Sequence, residues 1–151
     1  MSFRFCCVSL VFGCLSLASP SSWAALGGPT DSIVADTLSL KAVRHVEVRS
    51  SYQVHELDLA SGTVVREYVT AQGTVFAVSW HGPFKPNLNQ LLGSYFPRLT
   101  EAARLPHPDH RHLRVTDQDV TIESAGRMRA FAGCAVVTAL VPAGVSVAEI
   151  Q

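Results

Sequence analysis

The sequence predicts one small α+β domain, in which an antiparallel β-meander packs against one main helix and a second, C-terminal β-hairpin extends or covers the sheet. Residues 52–83 predict the meander, because three alternating, β-branched segments are separated by two glycine-containing turns. An apolar stripe with helical spacing follows Asn87, and short strand-like segments come after it. Strands, one strong helix and further strands indicate a layered α+β domain rather than a sandwich.

Residues 1–24 have the pattern of a secretory signal peptide. Arg4 precedes an apolar run over residues 5–17, and a small-residue segment ends at Ala24. The run is shorter than the roughly 20 residues of a membrane-spanning helix. We therefore expect cleavage near Ala24-Ala25, a mature domain of residues 25–151 without a transmembrane anchor, and a periplasmic or secreted location. A lipid on Cys14 is the alternative, but this residue lies inside the apolar run.

Charge and cysteine content narrow the classes of partner. The chain has twelve basic and twelve acidic residues, and the leader removes only one of them, Arg4. A balanced chain gives no electrostatic case for a nucleic acid or an anionic membrane surface. Only Cys134 lies outside the leader, so the mature chain forms no internal disulfide. Its apolar surroundings favour a buried thiol over one that pairs between chains.

The mature chain begins with a segment, residues 25–29, that we expect to be flexible. Thr30 or Asp31 is placed to cap a helix over residues 32–43. Residues 44–51 either extend this helix or begin a strand.

The first turn of the meander sets a register between two strands. A three-residue loop with Gly62 in the left-handed conformation places His55 opposite Glu67 and Glu56 opposite Arg66. Side-chain alternation puts His55 and Glu67 on one face of the sheet and the other pair on the opposite face.

The second turn is predicted as a two-residue loop at residues 72–73. It places Val69 opposite Phe76 and Val65 opposite Trp80. One apolar face then points toward the core. Its predicted members are Leu57, Leu59, Val65, Val69, Phe76, Val78 and Trp80.

The main helix begins after Asn87, which can cap it, with Gln90 completing a capping-box pattern. We expect Pro97 to kink or break this helix at Phe96. The stripe that should pack on the sheet comprises Leu88, Leu91, Leu92, Tyr95, Phe96, Leu99 and Ala103.

The remaining chain is predicted to be a polar loop and a hairpin. Residues 105–114 are polar and contain prolines, whereas Val115, Val120 and Ile122 belong to short strands. A turn at residues 125–126 leads into the last strand.

Several sequence blocks, taken together, resemble an uncharacterised family of exported Gram-negative bacterial proteins, domain of unknown function 2844. The blocks are residues 25–28 (ALGG), 59–68 (LASGTVVREY), 75–80 (VFAVSW), 82–83 (GP), 91–96 (LLGSYF), 128–131 (MRAF) and 142–145 (PAGV). The resemblance covers nearly the whole mature chain. It implies a bacterial exported protein and no particular activity.

His55 and Glu67 are the candidate catalytic residues. A histidine held by a carboxylate across two strands has the orientation and basicity of a general base. No serine or cysteine nucleophile is placed beside them by the sequence, so structural pairing is the simpler interpretation.

His107, His110 and His112, with Asp109, form the candidate metal site. Imidazole and carboxylate groups suit zinc or copper. Their spacing on a proline-containing loop fits no closed motif, and a solvated loop is the simpler interpretation.

Trp80 and His81 are candidates for the lip of a ligand pocket, and Arg127 and Arg129 are candidates for binding an anion. A core tryptophan and a solvated hairpin are the corresponding structural interpretations.

These patterns favour a non-enzymatic exported protein that binds an unknown envelope protein or a small ligand, with no cofactor. The alternative is a small envelope enzyme or metal-binding protein that uses His55 and Glu67 or the histidines of residues 107–112. A secreted structural component is a third interpretation.

Overall fold

The structure is a computed structural model that describes residues 26–106 and 111–150. Its helices are α1 (Ser32–Ser39), α2 (Leu88–Leu92) and α3 (Phe96–Arg104), and its strands are β1 (Val43–Val48), β2 (Tyr52–Asp58), β3 (Val64–Thr70), β4 (Val75–Gly82), β5 (His112–Thr116), β6 (Val120–Arg127) and β7 (Ala130–Val137). The strands form one antiparallel sheet in the order β1-β2-β3-β4-β7-β6-β5. The predicted α+β class is confirmed, and the C-terminal strands extend the meander.

One face of the sheet, here called the helix face, packs against the helices. Ile33 of α1, Leu91 of α2 and Leu99 of α3 share one buried cluster with the sheet. The sheet members of this cluster are Leu57, Val65, Val69, Val75, Val78, Trp80, Val120, Ile122, Ala135 and Val137. The predicted burial of Val78 and Trp80 beneath the helical stripe is therefore confirmed.

The opposite face, here called the open face, is crossed by the chain segment that follows β7. This segment contains two short 3-10 turns, at Thr138–Leu140 and Val147–Glu149. A second buried cluster forms beneath it from Val54, Tyr68, Phe76, Ala77, Val136 and Ile150.

The prediction that Phe76 faces the helices is wrong. The loop that joins β3 to β4 has three residues rather than two, so Val69 pairs with Val75. Phe76 is an extra residue in β4, and this β-bulge restores the predicted register from the Tyr68–Ala77 pair onward. The bulge turns the Phe76 ring to the open face, where its centroid lies 6.1 Å from that of Tyr68.

The turn of the C-terminal hairpin also differs from the prediction. Gly126 continues β6, and the chain reverses at Met128 and Arg129, where Arg129 adopts a φ of 61°. A Cβ atom on Gly126 would overlap the ring of Phe131, its partner on β7. Glycine is needed here for space rather than for a turn. β5 begins at His112, inside the stretch that was predicted to be loop.

The main helix is broken, as predicted, but one turn earlier than Phe96. A 3-10 turn at Gly93–Tyr95 separates α2 from α3. Pro97 lies in the first turn of α3, where its missing N–H group removes no helical hydrogen bond. The Asn87 side chain accepts a hydrogen bond from the backbone N–H of Gln90 at 3.4 Å, which confirms the predicted cap.

The first described residues are held in place, contrary to the expected flexibility. Leu26 is buried, and its N–H donates to the carbonyl of Leu91 at 3.1 Å. Gly27 N–H donates to the carbonyl of Val75 at 2.8 Å. No helix in the described ranges is long and apolar enough to cross a membrane.

Candidate functional site

The predicted His55–Glu67 pair is confirmed in register but is not a hydrogen-bonded pair. The two residues are partners across β2 and β3, and only 4% and 2% of their surfaces are exposed. Among the described residues, neither ring nitrogen of His55 and neither carboxyl oxygen of Glu67 has a hydrogen-bond partner. Burial, and then the charge of Arg44, lowers the pKa of His55, so the ring is neutral at neutral pH.

Glu67 instead interacts with Asp36 of α1, which is 1% exposed. Burial raises the pKa of Glu67 well above its usual value, and the Asp36 carboxyl raises it further. Burial also raises the pKa of Asp36, to about 6, against the opposing effect of its hydrogen bond from Gln90. A protonated Glu67 beside a more readily ionised Asp36 fits these directions.

The Asp36 side chain ties α1 to α2. Gln90 Nε2 donates to Asp36 Oδ1, and Ser39 Oγ donates to Gln90 Oε1 at 3.0 Å. Gln90 therefore uses its side chain between helices and not in a capping box. Sequence reasoning missed Asp36, although one acidic residue three positions after the core residue Ile33 was a signal for a buried carboxyl group.

The open face carries a row of polar residues that crosses six strands in direct register. The row runs Glu56 on β2, Arg66 on β3, Ser79 on β4, Cys134 on β7, Glu123 on β6 and Arg114 on β5. The full row was not predicted, because only its first two steps, Glu56–Arg66 and Arg66–Ser79, lie within the meander whose register the sequence indicates.

Four members of the row line the floor of a groove of about 800 Å³, here called the open-face groove: Arg66, Cys134, Glu123 and Arg114. Val147, Ala148 and Ile150 of the C-terminal segment border the groove on one side, and residues of β5 and β6 line the other. The exposed Ala132 adds apolar surface to the floor. Cavities of this size suit small molecules, and this one combines apolar walls with a few fixed polar groups.

Ion pairs fix the charged members of the row. Arg66 Nε lies 2.7 Å from Glu56 Oε2, and Arg114 Nε lies 3.3 Å from Glu123 Oε1. The arginines are therefore oriented along the floor.

Cys134 is half-buried, less covered than its apolar surroundings predict. Burial, together with the nearby Glu123 carboxylate, raises the pKa of the thiol. The thiol is protonated at neutral pH and is therefore a poor nucleophile, but it can still be labelled chemically.

The residues predicted to bind a ligand do not all line the same cavity. His81 and His112 line the open-face groove, and Trp80 also borders it although the residue is only 2% exposed. Arg127 lines a smaller neighbouring cavity. Arg129, in the turn between β6 and β7, lines neither that cavity nor the open-face groove.

The predicted metal site is described only at His112, since His107, His110 and Asp109 lie outside the described residues. Within residues 26–106 and 111–150, no group of three or more histidine, cysteine, aspartate or glutamate side chains is arranged to hold a metal ion.

Comparison with known proteins gives a family but no activity. No curated protein and no solved structure is similar enough to match the chain. The model of the family described as "Protein of unknown function (DUF2844)" matches residues 22–150, which is most of the sequence. The chain therefore belongs to this family of proteins of unknown function, DUF2844.

Proposed function

We propose that this protein is exported and binds a small ligand in the cell envelope, without catalysing a reaction. The leader pattern of residues 1–24 supports export to the periplasm or beyond it. The open-face groove supports binding, and it is the observation that carries the proposal. Its volume of about 800 Å³ matches a small molecule better than a protein surface.

The composition of the groove favours an amphiphilic ligand. The exposed Ala132, Val147 and Ala148 offer apolar contact, while Arg114 and His81 offer hydrogen-bond donors at the same surface. Donors already oriented by ion pairs cost little conformational entropy to use, which favours specific binding.

The groove favours binding over the alternative of an enzyme. His55 and Glu67 are buried on the helix face, away from the residues that line the groove. The thiol that does line it, Cys134, has a raised pKa because it is partly buried. A ligand in the groove would meet donors and apolar surface rather than an activated nucleophile.

The binding proposal is tested by the reactivity of Cys134 in the groove floor. Purified mature protein is labelled with iodoacetamide, with and without a protein-free filtrate of envelope extract. A ligand in the groove should slow labelling by about threefold or more, the protection given at roughly twice its Kd. Ala132→Trp should abolish the protection, because a large exposed side chain at this position fills the groove.

Ala139→Trp is the matched control, since Ala139 is exposed and outside the groove lining. This variant should keep the protection. Equal labelling rates with and without filtrate, or equal protection in Ala132→Trp, would contradict the proposal. Protection by the protein fraction alone would indicate a macromolecular partner instead.

Export is tested separately by fractionation and N-terminal sequencing of the protein produced in a Gram-negative host. The expected mature N-terminus is Ala25, in the periplasmic or extracellular fraction. A cytoplasmic protein that retains residues 1–24 would contradict export and leave the groove experiment unaffected.

A further inference from the structure

The edge strand β1 has the properties of an association surface. All six of its residues are exposed, including Val43 at 62%, Val46 at 48% and Val48 at 73%. Its only strand neighbour in the described sheet is β2. The opposite edge, β5, differs because its Leu113 and Val115 pack against the core. A regular, valine-rich edge strand is a template for pairing with another strand.

The direction in which each β1 residue points its backbone N–H and C=O groups can be assigned. The N–H of Arg49 donates to the carbonyl of Tyr52 at 2.9 Å, so the backbone groups of this residue point toward β2. Backbone direction alternates along an antiparallel strand. The N–H and C=O groups of Arg44, Val46 and Val48 therefore point away from the sheet.

The charges of β1 select one symmetric register. When two copies pair edge to edge around a two-fold axis, the central residue faces its own copy. A register centred on Arg44, His45 or Glu47 places like polar side chains opposite each other, and one centred on Val43 or Val48, the end residues of β1, pairs most of each strand with residues outside β1. Centring on Val46 instead places valine against valine and His45 against the partner's Glu47, and it aligns the outward backbone groups of both strands.

We propose that this protein pairs with a second copy of itself through β1, antiparallel and centred on Val46. The two sheets then continue into each other, and each outward-facing residue exchanges both backbone hydrogen bonds with the partner strand. Val46 and Val48 of both copies lie on the same face of the joined sheet, which shields their exposed side chains. The interface is small, so the association is weak and depends on protein concentration.

Sedimentation velocity over a concentration series tests the pairing, and the expected wild-type result is reversible dimerisation. Val46→Pro should weaken dimerisation about tenfold or more, because it removes an outward N–H group from each copy. The same N–H makes no bond to β2, so the monomer should keep its circular dichroism spectrum and melting temperature.

A charge exchange tests the register. His45→Glu alone should weaken the dimer roughly threefold to tenfold, since it places carboxylates opposite each other twice. The double variant His45→Glu, Glu47→Lys should restore dimerisation at least to the wild-type level, because it places opposite charges face to face. A wild-type chain that stays monomeric at every concentration would overturn the proposal. A dimer that the double variant fails to restore would overturn the register.

Discussion

At the scale of single residues, the unusual feature is the pair of buried carboxyl groups. Asp36 and Glu67 come from α1 and β3, and the Glu67 oxygens lack hydrogen-bond partners in the described chain. Burying a charge without compensation costs free energy, which is why the pKa of each group is raised.

The pKa shifts determine the sign of the pH dependence. A carboxyl group whose pKa is higher in the folded state binds more protons there, so the free energy of unfolding falls as pH rises. For Asp36 this fall in the free energy of unfolding lies between about pH 4 and pH 6. His55 has the opposite effect. Because its pKa is lowered in the folded state, its contribution makes the free energy of unfolding fall as pH falls below 6.5.

We predict that Glu67→Gln raises the free energy of unfolding at pH 8 by about 1 to 3 kcal/mol, because the carboxyl group must stay protonated in the folded state although it ionises in the unfolded state, and glutamine removes this cost while keeping the shape of the side chain. At pH 4 the effect should be small, since this carboxyl group is then protonated in the folded state and largely protonated in the unfolded state. Urea denaturation at the two pH values measures the difference, and His55 contributes equally to both proteins.

Glu101→Gln is the control, because the Glu101 side chain is exposed on α3. It should change stability by no more than about 0.5 kcal/mol at either pH. If Glu67→Gln matched this control at pH 8, the buried carboxyl pair would not carry the pH dependence.

Gly133 shows how the absence of a side chain makes room for a core residue. A Cβ atom at this position would overlap the Trp80 ring and the backbone carbonyl of Glu123. The close approach lets the indole lie flat on β7, beneath the helices. In the sequence this glycine is one small residue in an apolar run, and nothing local indicates its partner.

At the scale of secondary-structure elements, the ends of α2 and the length of the β3–β4 loop determine the stability of the helix and the register of the strands. α2 has only five residues, so its stability depends on its ends and on the packing of Leu91 and Leu92. The loop between β3 and β4 shows the limit of turn rules: Gly73 fits both a two-residue and a three-residue loop. The bulge at Phe76 absorbs the difference.

We predict that Asn87→Ala destabilises the protein by about 1 kcal/mol, since the side chain that accepts the Gln90 N–H is lost. Thermal unfolding followed by circular dichroism measures the change. Asn89→Ala, at an exposed position on the same helix, should cost less than about 0.5 kcal/mol. Equal losses in the two variants would show that the cap is not what stabilises α2.

At the scale of the whole molecule, the sheet order predicts a gradient of local stability. β3, β4 and β7 are the three central strands of the sheet, whereas β1 and β5 lie at its edges. Amides paired on both sides and covered by core clusters open only in large unfolding events.

We predict that hydrogen exchange at low protein concentration is slowest in β3, β4 and β7. It should be fastest among strand residues at the outward amides of Arg44, Val46 and Val48, with rates at least about a hundredfold higher. Exchange measured residue by residue with NMR resolves this pattern. Strong protection of these three amides in a dilute monomer would show that another part of the chain covers β1.

The sequence by itself determined the fold class, the strand pairing around Gly62 and the start of α2. These depend on alternation, turn residues and caps, which act over a few neighbouring positions. The pairing of His55 with Glu67 was predictable for the same reason, although their separate side-chain environments were not.

Only the tertiary structure decided that β7 lies beside β4, and with it the cross-sheet row and the open-face groove. It also brought Asp36 of α1 to Glu67 of β3. Contacts between distant segments depend on how whole faces pack, and no local spacing encodes which segment covers which face. For this protein, the candidate binding surface is therefore a property of the assembled sheet rather than of any motif.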